Sequence, residues 1–243
     1  MEQQHLEAAA PPVESASIMI TMLNTPVEVA PGFFFNLLAI WAGMSWLMGS
    51  KHPGWDWPTR ILSGAFSGFA LVVADFGHAL AHIISARAAG APMDQIQLTS
   101  GMPRTLYLDE DVPPRAHIMR ALGGPLFSLL GLVISLVVRS LFPRNSPARE
   151  VADWSSIGHG LIFTGSLAPL PVVDGGSMLK WSLVESGHTP TDADQIVKQA
   201  GIATGIAASS AGVLLATRQR WLPAAGLITA GIIAIAAAKG KIR

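Results

Sequence analysis

Four side chains in this sequence could share one piece of chemistry: Asp75, His78, His82 and Asp174. His78 and His82 stand four residues apart, one turn of an α-helix, so both imidazoles project from the same face. Neutral imidazoles at that spacing can hold one metal ion, and they fill two of the four positions that tetrahedral Zn2+ prefers. At about 100° per residue, Asp75 falls within about 60° of both. Asp174 ends the run Ser166-Leu-Ala-Pro-Leu-Pro-Val-Val-Asp174-Gly-Gly. Pro169 and Pro171 remove backbone donors there and break a helix, and the carboxylate that follows is a candidate third ligand. The chain has no cysteine. Thiol catalysis, disulfides and cysteine-held zinc are therefore excluded, and His and carboxylate must do any ligation.

The elements that carry these residues are strongly apolar. Half of the 243 residues are hydrophobic and 13% are charged, against roughly 25% charged in a soluble domain. Sixteen basic and sixteen acidic side chains cancel, which leaves no basic footprint for a nucleic acid. Residues 31–50, 121–138, 199–217 and 221–238 hold no Asp, Glu, Lys or Arg. Residues 61–86 hold only Asp75, and residues 154–179 only Asp174, before Lys180. A helix needs about 20 apolar residues to cross a bilayer. The six stretches predict an α-helical polytopic membrane protein with six transmembrane helices, integral to a membrane, most simply the cell membrane. Ionisable groups inside such spans are functional by default. His159, also within the fourth span, is expected to be structural.

The intervening segments are short. Residues 1–16 read as a disordered tail. Ser17–Leu23 reads as a strand, and Gln95–Leu98 with Thr105–Leu108 as a β-hairpin between spans two and three. Residues 187–198 read as a loop carrying a Thr or Asp cap. The chain divides into the tail, a membrane core over 17–185 and a C-terminal helical pair over 186–243. In that pair, Gly201-x-x-x-Gly205 and Ala208-x-x-x-Gly212 suit close helix packing or self-association.

At this point the sequence resembles the site-2 protease family of intramembrane zinc metalloproteases. His78-Ala-Leu-Ala-His82 is similar to the family's HExxH helix. Gly123-Gly124-Pro125-Leu126-Phe127-Ser128 is similar to its G-P-x-x-N. Pro169-Leu-Pro171-Val-Val-Asp174-Gly-Gly is similar to its N-x-x-P-x-P-x-x-D-G. The Pro26–Val29 lead-in to the first span also matches. The resemblance implies zinc, with His78, His82 and Asp174 as ligands and a transmembrane protein segment as substrate or partner. It implies substrate contacts from the hairpin, at Gln95 and Gln97, and from Ser166, Pro169 and Pro171. It also exposes departures. Position 79, where the family carries its general-base Glu, is Ala79. Ser128 and Ser166 stand where the family has Asn.

Three functions follow. The chain is a peptidase that cuts transmembrane segments, with Asp75, one turn from Ala79, a candidate either for the missing base or for a partner that orients His78. Alternatively it is a pseudoprotease that keeps the fold and metal, binds transmembrane partners and does not cut. The third alternative is a small transporter using Asp75, His78, His82 and Asp174 as a metal or proton site. The broken fourth span suits a transporter, and the lack of an internal repeat counts against it.

Overall fold

The computed structural model describes residues 17–109 and 111–241; the expected tail over 1–16 lies outside them. The strands among the described residues come in two hairpins: β1 (Ile18–Met22) with β2 (Thr25–Val29), and β3 (Gln95–Leu98) with β4 (Arg104–Leu106). Leu23 and Asn24 both adopt positive φ, the geometry a two-residue hairpin turn demands. The expected second hairpin is thus half of a larger object. β2 pairs in parallel with β3, Val27 opposite Ile96, to give one sheet in the order β1-β2-β3-β4.

Among the described residues there are seven helices, in chain order α1 (Pro31–Lys51), α2 (Trp57–Ala88), α3 (Pro114–Ser140), α4 (Pro147–Ser166), α5 (Asp174–Glu185), α6 (Pro190–Thr217) and α7 (Trp221–Ala238). Asp56, Ser146 and Thr189 cap α2, α4 and α6 through their side-chain oxygens, each satisfying one free N–H of the first turn. The cap at Thr189 starts α6 at Pro190, so most of the expected loop over 187–198 is helix instead. Five helices among the described residues are long and apolar enough to cross a membrane: α1, α2, α3, α6 and α7. The expected fourth span is two helices, α4 and α5, separated by the proline segment 167–173.

Three packing contacts position the site. The sheet lies against α2: Val27, Val29, Ile96 and Leu98 point inward by strand alternation and meet Ala79, Ile83 and Ala86 in one buried cluster. α3 lies against the next face of α2. At Gly123 a Cβ would stand 2.5 Å from the Ala81 carbonyl oxygen, so only glycine permits this approach. α6 and α7 close on each other in the same way, a Cβ at Gly205 falling 2.6 Å from the Gly231 oxygen. At Gly201, α6 also reaches the proline segment, where a Cβ would meet Leu170 at 3.2 Å and the Pro169 oxygen at 3.3 Å. The C-terminal pair therefore braces the segment that delivers Asp174.

Candidate metal centre

His78 and His82 lie on α2 and Asp174 begins α5, and the fold brings them together. Their ligand atoms lie within 4.8 Å of one another. His78 Nε2 is 3.0 Å from Asp174 Oδ2, His82 Nε2 is 3.3 Å from Asp174 Oδ1, and the two Nε2 atoms are 3.2 Å apart. Three ligands at about 2.1 Å around a tetrahedral zinc would be separated by about 3.4 Å.

The outward ring nitrogens explain why the inward ones converge. His82 Nδ1 donates to the Arg120 carbonyl at 2.8 Å, and a carbonyl can only accept. His82 Nε2 in the neutral ring is therefore a bare acceptor, and it faces a carboxylate oxygen. His78 Nδ1 is held by Ser128 Oγ at 2.9 Å. Partners of this kind fix the tautomer and orientation of metal-binding imidazoles. Acceptors that converge on one point call for a cation between them. Gly124 faces the pair, and a Cβ there would overlap both Nε2 atoms. The residues present thus fit a small divalent ion bound by two imidazoles and a carboxylate.

Asp174 is placed by its own local sequence. The Leu170 carbonyl folds back onto Gly176, where any side chain would collide with it. Val173 N donates to the Leu170 oxygen at 3.2 Å, which closes the turn before α5. The Gly175-Gly176 pair is what lets the helix restart against its own approach segment.

A cleft of about 450 Å³ opens beside the trio, lined by His82 and Asp174, by Thr105, Leu106 and Tyr107, and by Pro171–Val173, Ser177 and Trp181. His117 stacks on Trp181 with ring centroids 3.7 Å apart. The Arg120 guanidinium lies 4.6 Å from the Tyr107 ring. Burial pushes the Tyr107 phenol well up from its ordinary value, so it keeps its proton as a donor.

The other expected residues are placed as follows. Pro171 lines the cleft. Gln95 and Gln97 lie on β3, between β2 and β4, and both donate to Glu28 Oε2, at 2.9 and 3.0 Å. The strand edge that reaches the cleft is β4. Ser166 ends α4 and donates to the Phe163 carbonyl at 3.2 Å. Pro169 faces α6. Ala79 is buried in the cluster beneath the sheet. Asp75 is half-buried and makes no hydrogen bond or ion pair among the described residues. The orienting carbonyl of Arg120 and the cleft residues Tyr107, His117 and Trp181 were not legible in the sequence, since nothing local marks them.

The architecture is that of a helical membrane protein with a His-His-Asp trio, able to hold a metal ion, between its second and fifth helices. No protein-family model matches the chain. It is 27% identical over 209 residues to "Putative zinc metalloprotease Rip3" from two strains of Mycobacterium tuberculosis, a match covering 78% of this chain and 53% of the relative. The chain spans about half the length of these curated relatives. Its fold is similar to that of a site-2 protease from Methanocaldococcus jannaschii, with a TM-score of 0.56 and 17% identity, over 94% of this chain and 96% of the other. The chain is thus similar in sequence to a zinc metalloprotease described as putative and in fold to a site-2 protease, and its five long apolar helices are those of a multi-pass membrane protein.

Proposed function

We propose that this chain holds zinc on His78, His82 and Asp174 within the bilayer, binds a transmembrane segment in its cleft, and cuts it poorly or not at all. The metal half of this reading is supported by the convergence of acceptors described above. When bound, zinc supplies Lewis acidity toward a carbonyl and toward water. The α4–α5 pair makes a sixth crossing of the cell membrane, since residues 154–179 hold one charge. The unpaired edge of β4, with Thr105 and Leu106 at the cleft, accepts an unwound segment by strand addition.

The observation that carries the pseudoprotease half is Ala79. A methyl group cannot take a proton, and here it packs under the sheet with Val27 and Ile96. Loss of a positioned base costs about 10²–10⁴ in rate. Asp75 favours the second reading, a slow peptidase, because its carboxylate lies one turn from Ala79, feels the charge of His78, and makes no hydrogen bond or ion pair among the described residues.

The test uses purified protein in liposomes with a fluorescent transmembrane peptide, alongside Ala79→Glu and Asp75→Asn versions. The Ala79→Glu protein should cut at least about 100-fold faster than the parent. Equal, substantial cleavage by both would sink the pseudoprotease reading. Residual parental cleavage lost in Asp75→Asn would establish the second.

A further inference from the structure

Polar and small residues continue along α3 well beyond the metal trio. Gly124, Ser128, Gly131, Ser135 and Arg139 recur at spacings of four and three, so they share one face. They extend about 22 Å along the axis. Each meets a polar side chain of α2 or α4. Gly124 abuts His78 and His82, and Ser128 holds His78 Nδ1. Gly131 lies under the His159 ring, where a Cβ would come 2.5 Å from Nε2. Ser135 and Ser155 hydrogen-bond at 2.7 Å, and Arg139 pairs with Asp153 at 2.6 Å. On α2, Ser63 and Ser67 share a face with Ala74 and His78, and Gly158 of α4 seats on Ala74. At the far end, Glu150 takes Lys51 Nζ at 2.7 Å and His52 Nε2 at 2.9 Å.

Several polar atoms in this seam are unaccounted for. Ser63, Ser67 and His159 are 3%, 0% and 5% exposed. Their Oγ, Oγ and Nδ1 atoms have no hydrogen-bond partner among the described residues, and neither has Trp154 Nε1. Unpartnered polar atoms are costly in a protein surrounded by hydrocarbon, and buried water is the usual partner where a site is polar. The atoms are spread along the seam, as a chain of small occupants requires.

We infer that the α2–α3–α4 seam binds a file of water molecules running from the Lys51–His52–Glu150 cluster to Ser128, behind His78. This inference rests on the packing around α3 and does not need the metal. If both hold, the file is a path for water or protons to the side of His78 turned away from the cleft.

The absence of cysteine makes the test direct. Ser67→Cys and Ser135→Cys each place one thiol in the seam, with Ser63→Cys in reserve should either fail to fold. Leu130→Cys and Val137→Cys place thiols on residues of α3 that are 58% exposed and face outward. Each protein is put into lipid nanodiscs and treated with silver ion, and the surviving thiol is counted with a maleimide after denaturation. A thiol kept from water loses thiolate about tenfold for each unit of upward pKa shift. The seam thiols should therefore be blocked at least about tenfold faster than the lipid-facing ones. Seam thiols as slow as Leu130→Cys and Val137→Cys would overturn the proposal and mean a dry seam. The readout involves neither zinc nor cleavage, so this failure is distinct from failure of the metal reading.

Discussion

Gly124→Ala should empty the metal centre without touching a ligand. The added methyl carbon would stand 2.5 Å from His78 Cε1, and closer still to both Nε2 atoms. Ordinary carbon contacts need about 3.5 Å, so the rings must retreat by about 1 Å. Metal sites tolerate distance errors of roughly 0.2 Å. Retreat also strains the two bonds that aim the rings, 2.9 Å from His78 to Ser128 and 2.8 Å from His82 to Arg120. Loss of one such orienting partner costs about 10–100-fold in affinity, so loss of both predicts roughly 10²–10⁴. The assay is zinc competition against a chromogenic chelator. Gly131→Ala is the control: it crowds His159 two turns along α3, so its folded fraction should bind zinc like the parent. Gly124→Ala protein that is folded and binds zinc within about threefold of the parent, well inside the predicted loss, would mean that Gly124 does not hold the two rings at a metal site.

Glu150→Gln should lower thermal stability by about 1.5–3 kcal/mol, the usual worth of hydrogen bonds to a charged group, and should leave zinc content unchanged. Burial alone would push the Glu150 carboxyl up, but hydrogen bonds from Lys51 and His52 outweigh it and hold the carboxyl below its ordinary value of 4.5. Its folded value is the depressed one, so its stabilisation is complete above pH 4.5 and is lost as pH falls through the folded value. A thermal unfolding series over acid pH, run on parent and Glu150→Gln, should converge at the low end. Gly205→Leu should separate α6 from α7, since even a Cβ there falls 2.6 Å from Ile235 Cγ1. Because α6 braces Pro169 and Leu170, that variant should also loosen zinc, read as faster loss to chelator.

The parts legible in the sequence were those whose signal is local. His78 and His82 announce a shared face by spacing alone. Asp174 stood out because a carboxylate after two prolines has no ordinary reason to lie deep in an apolar run. The β1 strand and the β3–β4 hairpin read correctly from alternation and turn residues. The parallel pairing of β2 with β3 did not, because Val27 and Ile96 meet only once α1 and α2 are packed. That pairing ties Gln95 and Gln97 to Glu28 and turns the free edge over to β4. The expected loop over 187–198 is mostly helix because the cap that segment was expected to carry is Thr189, at its start, so α6 takes in Asp192 and Asp194 on its first turns. The water-lined seam reading needed three helices at once, each contributing one small or polar residue per turn.

Two imidazoles and a carboxylate from distant elements are expected to hold one metal ion. Elemental analysis of protein purified without chelator tests it most directly. The expected result is about one zinc per chain, and none in folded His82→Ala. Folded parent protein without zinc, or His82→Ala protein that keeps its zinc, would contradict it.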